Sequence, residues 1–303
     1  MNRFQANLCL LTATLCWALE PTLLKRFDLD VSVMGVVAMT SGLAAVCLGI
    51  VFWSRWRVRP SRASLSKLGY LAVLDLVASA LGFWGARQVD LSTSAFLLAL
   101  CVVGVPVVLV VKRRPVPGRT WVGIAVILLG LALAVQIRPG SMAWVPTVVL
   151  LGAAAVRSVY MVGVNDMSKT HDPAQMAVYL LAGASVLGFV GWTVTDPGSI
   201  TGMDYSASFW ATLVMYALFV FSIFTATSFL AQPYASAQSV AVIYSLEVTF
   251  AVLLGAVLPH LLVDRIHLTL AVLAGCLLTC LGVIVAEVDL VASFRASVSR
   301  AAR

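Results

Sequence analysis

The stretch from Tyr205 to Leu246 contains 42 residues and no charged side chain. In lipid, every backbone polar group must be hydrogen-bonded internally, which restricts spanning segments to apolar helices or to the alternating strands of a closed barrel. The apolar runs of this chain are continuous rather than alternating, so they indicate helices. Because 42 residues exceed one crossing, we expect two helices here, divided at Gln232-Pro233, where proline removes a donor and clashes with the preceding turn.

Other runs of this kind extend along the whole chain. Of the 303 residues, 61% are hydrophobic and 11% are charged, whereas soluble domains carry about 25% charged residues. The sequence therefore predicts an all-α integral membrane protein with ten transmembrane helices, at 5–24, 31–53, 68–86, 91–111, 120–137, 142–164, 174–195, 208–230, 235–258 and 267–286.

The loops predict the orientation of these helices, because Lys and Arg concentrate in cytoplasmic loops. With the N-terminus inside, 14 of the 20 basic residues lie on the inner side, so both termini are predicted to be cytoplasmic. The net charge of +7 follows from this arrangement and needs no nucleic-acid partner. The counter-surface is the anionic inner leaflet of a cell membrane.

Similar motifs recur in the two halves of the chain. Gly123 and Gly130 have the same spacing as Gly275 and Gly282, 152 positions later, and the segment 86–94 resembles 231–239, 145 positions later. We therefore predict a first five-helix repeat at 1–140, a second at 141–287 and a basic cytoplasmic tail at 288–303. Five is an odd number, so the second repeat is inverted, as in many secondary transporters with a central cavity.

On these features the chain resembles the drug/metabolite transporter superfamily, specifically its EamA-type ten-helix branch. The resemblance rests on Trp17 and Lys25 of the first helix, the Ser-rich segments that begin at Leu91 and Ala235, and the two glycine-pair helices. It implies secondary transport of small organic metabolites, often as export. It also implies that helices 1, 3, 4, 6, 8 and 9 line a central cavity and that helices 5 and 10 pack outside it.

Four ionisable residues fall well inside the predicted helices: Glu20, Asp75, Arg157 and Glu247. Each is expected to cost about 2.5 to 3.5 kcal/mol at a helix centre, so each is a candidate functional residue. Counted along the helices, Asp75 and Arg157 lie at similar depth, which permits an ion pair. The pair has three alternative roles: it holds the two halves in register, it acts as a gate, or it contacts substrate.

Glu20 and Glu247 are expected in a layer further out, without a cationic neighbour at the same depth. Burial and mutual repulsion favour their protonated forms, so we expect them to exchange protons near neutral pH. The resemblance extends to small multidrug-resistance relatives, in which a first-helix glutamate exchanges protons for cationic drugs. Pro21 is expected to loosen the helix beside Glu20.

Aromatic residues accompany these charges along the helices. Trp17 precedes Glu20 by three positions, Tyr244 precedes Glu247 by three, and Tyr160 follows Arg157 by three, so each pair shares a helix face. The aromatic faces of Trp17 and Tyr244 would attract ammonium groups, although ordinary packing is the alternative for each, and Tyr160 could add a hydroxyl to the face of Arg157. Arg157 could instead bind a substrate carboxylate, in which case an amino acid would fit.

These observations favour a secondary active transporter of an amine, amino acid or cationic compound that works by alternating access, with proton-coupled export as the first mechanism. An uncoupled facilitator or exchanger is the alternative, and a membrane sensor or scaffold is a remote one. An enzyme is not expected, because no HExxH motif, no histidine within a span and no Gly-rich phosphate loop is present. The six cysteines lie within predicted helices as small apolar residues, and no cofactor or metal is predicted.

Overall fold

A computed structural model of the protein describes residues 1–24, 26–27, 31–56, 60–89, 91–135, 143–202, 205–257 and 269–287. Within these ranges the regular structure is helical throughout. The predicted boundary between the repeats at 140/141 and the predicted tail at 288–303 lie outside the described residues.

Ten spans follow one another along the chain. They are span 1 (Arg3–Trp17 and Glu20–Leu24), span 2 (Val33–Val51), span 3 (Arg62–Ala86), span 4 (Leu91–Ala99 and Cys101–Val111), span 5 (Gly118–Val135), span 6 (Trp144–Ser168), span 7 (Pro173–Thr195), span 8 (Ala207–Met215, a π-helix at Tyr216–Ile223, and Phe224–Ala231), span 9 (Ala237–Tyr244 and Glu247–Val257) and span 10 (Leu270–Glu287). In the part of the chain described, nine segments are long and apolar enough to cross a membrane, and Phe4–Trp17 is a shorter apolar helix. The all-α, ten-helix prediction is confirmed.

Three spans are broken near their middle, at Ala18–Leu19, at Leu100 and at Ser245–Leu246. Pro21 accounts for the first break, because it has no N–H to donate to the carbonyl of Trp17. The breaks in spans 4 and 9 begin 145 positions apart, at 100 and 245, which is the offset between the segments 86–94 and 231–239. The predicted division at Gln232-Pro233 is also confirmed, since a 3₁₀ turn at Gln232–Tyr234 separates spans 8 and 9.

Local capping fixes where several spans begin. Ser32, Ser61, Ser206 and Ser236 each accept a backbone N–H of the first turn of the helix that follows. Span 7 begins at Pro173 after Asp172, whose carboxylate accepts the N–H groups of Ala174 and Gln175. These side chains satisfy donors that the first turn of a helix leaves free.

The spans pack in a pattern that is unchanged when the two halves are exchanged. Span 5 packs on span 10, span 2 on span 7 and span 4 on span 9, while span 3 packs on span 6 as span 8 packs on span 1. Two inverted five-helix units would give this pattern. The residue boundaries of the repeats stay a prediction.

Spans 5 and 10 approach each other closely through their glycine pairs. A methyl group added at Gly275 would lie 2.3 Å from the backbone nitrogen of Ala134, and one at Gly130 would lie 2.5 Å from that of Thr279. Only glycine permits this approach, which small-residue helix pairs use in membranes. The four glycines that revealed the sequence repeat therefore form the contact between its two last helices.

Candidate functional site

Two adjoining cavities lie inside the bundle. The larger has a volume of about 310 Å³, and the smaller has a volume of about 60 Å³. Six residues line both and form what we call the shared wall: Trp17, Glu20, Ser79, Arg157, Phe221 and Tyr244. All seven residues predicted from the sequence line at least one cavity. Besides the four in the shared wall, Asp75 and Tyr160 line the smaller and Glu247 lines the larger.

The spans that line the cavities include all those implied by the resemblance: 1, 3, 4, 6, 8 and 9. None of the lining residues among those described belongs to spans 5 or 10. Two further spans contribute, since Val36 and Val37 of span 2 reach the larger cavity and Leu180 and Leu181 of span 7 reach the smaller. Spans 2 and 7 therefore supply apolar wall that the resemblance did not imply.

Arg157 of span 6 is held by two side chains of span 3. Its Nη1 donates to Asp75 Oδ1 at 2.7 Å, and its Nη2 donates to Ser79 Oγ at 3.2 Å. The predicted ion pair between Asp75 and Arg157 is present. The guanidinium also lies 6.0 Å from the ring centroid of Trp17 and 5.8 Å from that of Tyr160, within cation–π range.

Glu20 is held by two donors. The indole Nε1 of Trp17 donates to its Oε2, and the hydroxyl of Tyr216 donates to its Oε1 at 2.9 Å. Tyr216 was not identified from the sequence, because it is one aromatic residue in a long apolar run. It is the first residue of the π-helix Tyr216–Ile223, and such irregular turns are frequent at functional sites.

The predicted separation of the charges into two layers is wrong for Glu20. Glu20 lies in the shared wall together with Arg157, and the charges of Arg157 and Asp75 both act on it. The depth count failed because spans 3 and 6 extend further than predicted at the end that was expected to be cytoplasmic, to Arg62 and Ser168. Asp75 and Arg157 are then about 20 and 16 Å from these helix ends at 1.5 Å per residue.

Three aromatic rings pack beside the shared wall. Ring centroids of Trp17 and Phe224 are 5.0 Å apart, those of Trp17 and Tyr244 are 5.3 Å apart, and those of Phe224 and Tyr244 are 5.5 Å apart. The hydroxyls of Tyr244 and Ser228 hydrogen-bond to each other. Trp17 and Tyr244 thus contact each other as well as lining both cavities.

Glu247 differs from the other three charges. It begins the second half of span 9, immediately after the break at Ser245–Leu246, and it lines the larger cavity. Within the part of the chain that the structure describes, its carboxylate forms no hydrogen bond or ion pair, although the charges of Glu20 and Arg157 act on it. A cavity carboxylate without a protein partner can receive a proton or a cationic ligand.

The residues that line the two cavities include three carboxylates, at Glu20, Asp75 and Glu247, and two guanidinium groups, at Arg157 and Arg87. When every group is ionised, the formal charge of the lining is therefore −1, with Arg87 at the far end of the larger cavity. Among the described residues, no group of three or more His, Cys, Asp or Glu side chains could hold a metal ion. The arrangement suits a positively charged organic molecule or protons.

The fold and the cavity define a multi-pass helical membrane protein with a charged central site. The family model described as the EamA-like transporter family matches residues 5–136. This match covers less than half of the chain and lies in its first half, and it agrees with the resemblance to the drug/metabolite transporter superfamily.

A solved crystal structure of another protein is similar over 93% of this chain and 96% of its own, with a TM-score of 0.76. The two sequences are 15% identical, so the likeness concerns the fold alone. No curated protein matches the sequence.

Proposed function

We propose that the protein is a secondary active transporter of a small organic amine or cation, which it exchanges for protons by alternating access through the central cavity. The observation that carries this proposal is the carboxylate of Glu247, which faces the larger cavity and has no hydrogen-bond or ion-pair partner among the described residues. Trp17 and Tyr244, also in the wall of that cavity, supply aromatic faces that attract ammonium groups.

The contacts of Arg157 favour an amine over an amino acid. An amino acid needs a cation for its carboxylate. Arg157 already donates to Asp75 and Ser79, and Arg87, at the end of the larger cavity, donates to the carbonyl oxygen of Val31. Binding a second carboxylate there would add a negative charge to a site that has an excess of them. An amine or a quaternary cation needs only Glu247 and the aromatic rings.

The proposed coupling uses competition for one carboxylate. When Glu247 is protonated, a cation gains little by binding next to it; when Glu247 is ionised, burial strengthens its attraction for either a proton or a cation. If only one of them is carried at a time, movement of protons down their gradient drives the amine in the opposite direction. Glu20, with its two hydrogen-bond donors, is the second site of proton exchange.

Export from the cell follows in this proposal if the termini are cytoplasmic and the protein lies in the cell membrane. The alternative is an uncoupled facilitator or exchanger, in which Glu247 binds the amine but exchanges no proton. The two mechanisms differ in whether transport of the substrate is accompanied by proton movement in the opposite direction.

The test is flux in proteoliposomes against a panel of amines, quaternary cations and amino acids, with and without a pH gradient. A pH-sensitive dye inside the vesicles measures proton movement. We expect amine flux against its gradient, accompanied by proton counterflow, and we expect Glu247→Gln to abolish both. Asp196→Asn is the matched control, because Asp196 is an exposed acid at the end of span 7, away from the cavity.

Three outcomes separate the mechanisms. Amine flux without proton movement would favour the facilitator. Flux unchanged by both Glu20→Gln and Glu247→Gln would overturn the carboxylate mechanism. Flux of amino acids but not amines would overturn the substrate class and would favour the alternative in which Arg157 binds the carboxylate of the substrate.

A further inference from the structure

The two cavities extend from the shared wall toward opposite ends of the bundle. The larger is lined by Phe83, Ala86, Arg87 and Val89, at the C-terminal end of span 3. The smaller runs along Met161 and Val164 of span 6 to Gln232, at the C-terminal end of span 8. Next to Gln232, at the end of span 6, are Asn165 and Asp166, to which neither the sequence nor the proposed mechanism assigns a role.

Asn165 is a buried amide that binds the junction between spans 8 and 9. Its Nδ2 lies 2.9 Å from Gln232 Oε1, 3.1 Å from the carbonyl oxygen of Gln232 and 3.0 Å from that of Ala235. Both carbonyls belong to the segment between the two helices, where, among the described residues, the Gln232 carbonyl otherwise accepts only the long 3₁₀ hydrogen bond from the N–H of Ala235, at 3.3 Å. Buried polar groups need such partners, and because Gln232 lines the smaller cavity, this contact lies at the end of that cavity.

Asp166, the next residue, binds the end of span 4. It accepts two hydrogen bonds from Arg114, at 2.5 and 3.0 Å, and one from Lys112 at 3.4 Å. The hydrogen bond and charge of Asp166 raise the pKa of the Arg114 guanidinium above its ordinary value. Paired hydrogen bonds of this kind fix geometry as well as charge.

A backbone feature brings the two basic residues together. Arg113, between them, has φ of 56° and is the only non-glycine residue with positive φ in the described ranges. The backbone N–H of Arg114 donates to the carbonyl of Leu109, so the chain reverses directly at the end of span 4. Glycine usually occupies this position after a helix, and a strained residue there indicates that the turn is held by its surroundings.

We propose that Asn165 and Asp166 form a latch that closes the central cavity at this end of the bundle, and that the cavity opens here when both sets of contacts release. The buried amide ties span 6 to spans 8 and 9, and the carboxylate ties span 6 to span 4. Two adjacent residues of span 6 therefore hold spans 4, 8 and 9, which must move away from span 6 for the cavity to open. That this opening is a step of the transport cycle rests on the proposed function. The contacts that close the cavity do not depend on it.

The experiment measures access to the smaller cavity without measuring transport. Thr225, a buried residue of span 8 that lines this cavity, is replaced by cysteine in a chain whose six native cysteines are replaced by alanine or serine. Proteoliposomes are treated on one face with a charged, membrane-impermeant thiol reagent. A separate Ala63→Cys reporter, on the exposed first turn of span 3, marks the face that carries the latch, because Ser64 beside it contacts His171 just beyond span 6.

We expect Thr225→Cys to react slowly from the latch face in the parent chain. Asn165→Ala combined with Asp166→Asn should raise its rate about tenfold or more, as loss of buried hydrogen bonds predicts. Asp166→Asn alone should give a smaller rise, because the ion pair is partly solvated. Asp172→Asn is the matched control, since it removes an exposed ion pair with Arg55 at the same end and leaves the rate unchanged.

An Ala86→Cys reporter in the larger cavity, treated from the opposite face, checks that the fold is retained, and its rate should stay the same or fall in the latch variants, because alternating access does not open both ends together. Fast reaction of Thr225→Cys in the parent chain would overturn the proposal. An unchanged rate in both latch variants, or an equal rise at both reporters, would overturn it as well. Because no substrate is needed, failure of the latch is distinguishable from failure of amine transport.

Discussion

Arg157 of span 6 donates a hydrogen bond to Asp75 of span 3 at 2.7 Å, and the two side chains are 23% and 17% exposed. This ion pair joins the two helices at the smaller cavity, next to the shared wall. Replacing one residue of a partly buried ion pair is destabilising, because the charge of the other residue stays partly buried and has no partner.

Asp75→Asn should lower the free energy of unfolding by about 3 kcal/mol, because it leaves the Arg157 guanidinium without a carboxylate. Arg157→Gln should cost a similar amount, and the double variant should be less destabilised than the sum of the two. Thermal unfolding in detergent, arranged as a double-mutant cycle, measures this coupling. Asp172→Asn breaks the more exposed pair with Arg55 and should cost under about 1 kcal/mol. Strict additivity of the two cavity variants would contradict the prediction.

Tyr216→Phe removes the hydroxyl that donates to Glu20 and keeps the ring that packs on Phe27 and Phe221. We expect amine flux to fall about tenfold, since a hydrogen bond to a charged group contributes about 1.5 to 3 kcal/mol. Initial rates in proteoliposomes, with proton counterflow measured in parallel, test this. Tyr205→Phe is the control, because that hydroxyl donates to the carbonyl of Ile200 outside the cavity. Equal effects of the two variants would show that Glu20 does not depend on Tyr216.

Gly275→Ala places a methyl group 2.3 Å from the nitrogen of Ala134 and 2.6 Å from the carbonyl oxygen of Gly130. Spans 5 and 10 then have to separate, and we expect the free energy of unfolding to fall by about 2 kcal/mol or more. Gly152→Ala, at an open position within span 6, should be neutral or stabilising by up to about 1 kcal/mol. Thermal unfolding measures both, and a stable Gly275→Ala protein would rule out the close approach.

Much of the fold could be predicted from the chain because its signals are local. Each span is recognisable from its own apolar length, and the breaks near Pro21 and at Gln232-Pro233 follow from the missing N–H of proline. The ion pair between Asp75 and Arg157 could also be anticipated, since two opposite charges in lipid have few alternatives to pairing. The contact between spans 5 and 10 was detectable as two glycine pairs, although their function as a packing surface was not.

The rest of the site could not be predicted, because it depends on how helices are placed against one another. A depth count from helix ends separated Glu20 from Arg157, whereas the longer spans 3 and 6 bring them together. Nothing in the run from Tyr205 to Leu246 distinguishes Tyr216, which reaches Glu20 from a π-helix. Asn165 and Asp166 gave no signal, as each contacts residues at least 52 positions away.

The sequence by itself determined that this protein lies in a membrane as ten helices and that a few charges remain inside it. Hydropathy, proline and glycine act through the energy of a single helix in lipid, which can be judged from neighbouring residues alone. Only the tertiary structure decided that Glu20 is held by Trp17 and Tyr216 while Glu247 has no partner among the described residues. That difference depends on breaks, rotations and contacts between helices distant in sequence, where a shift of a few ångströms makes or removes a hydrogen bond.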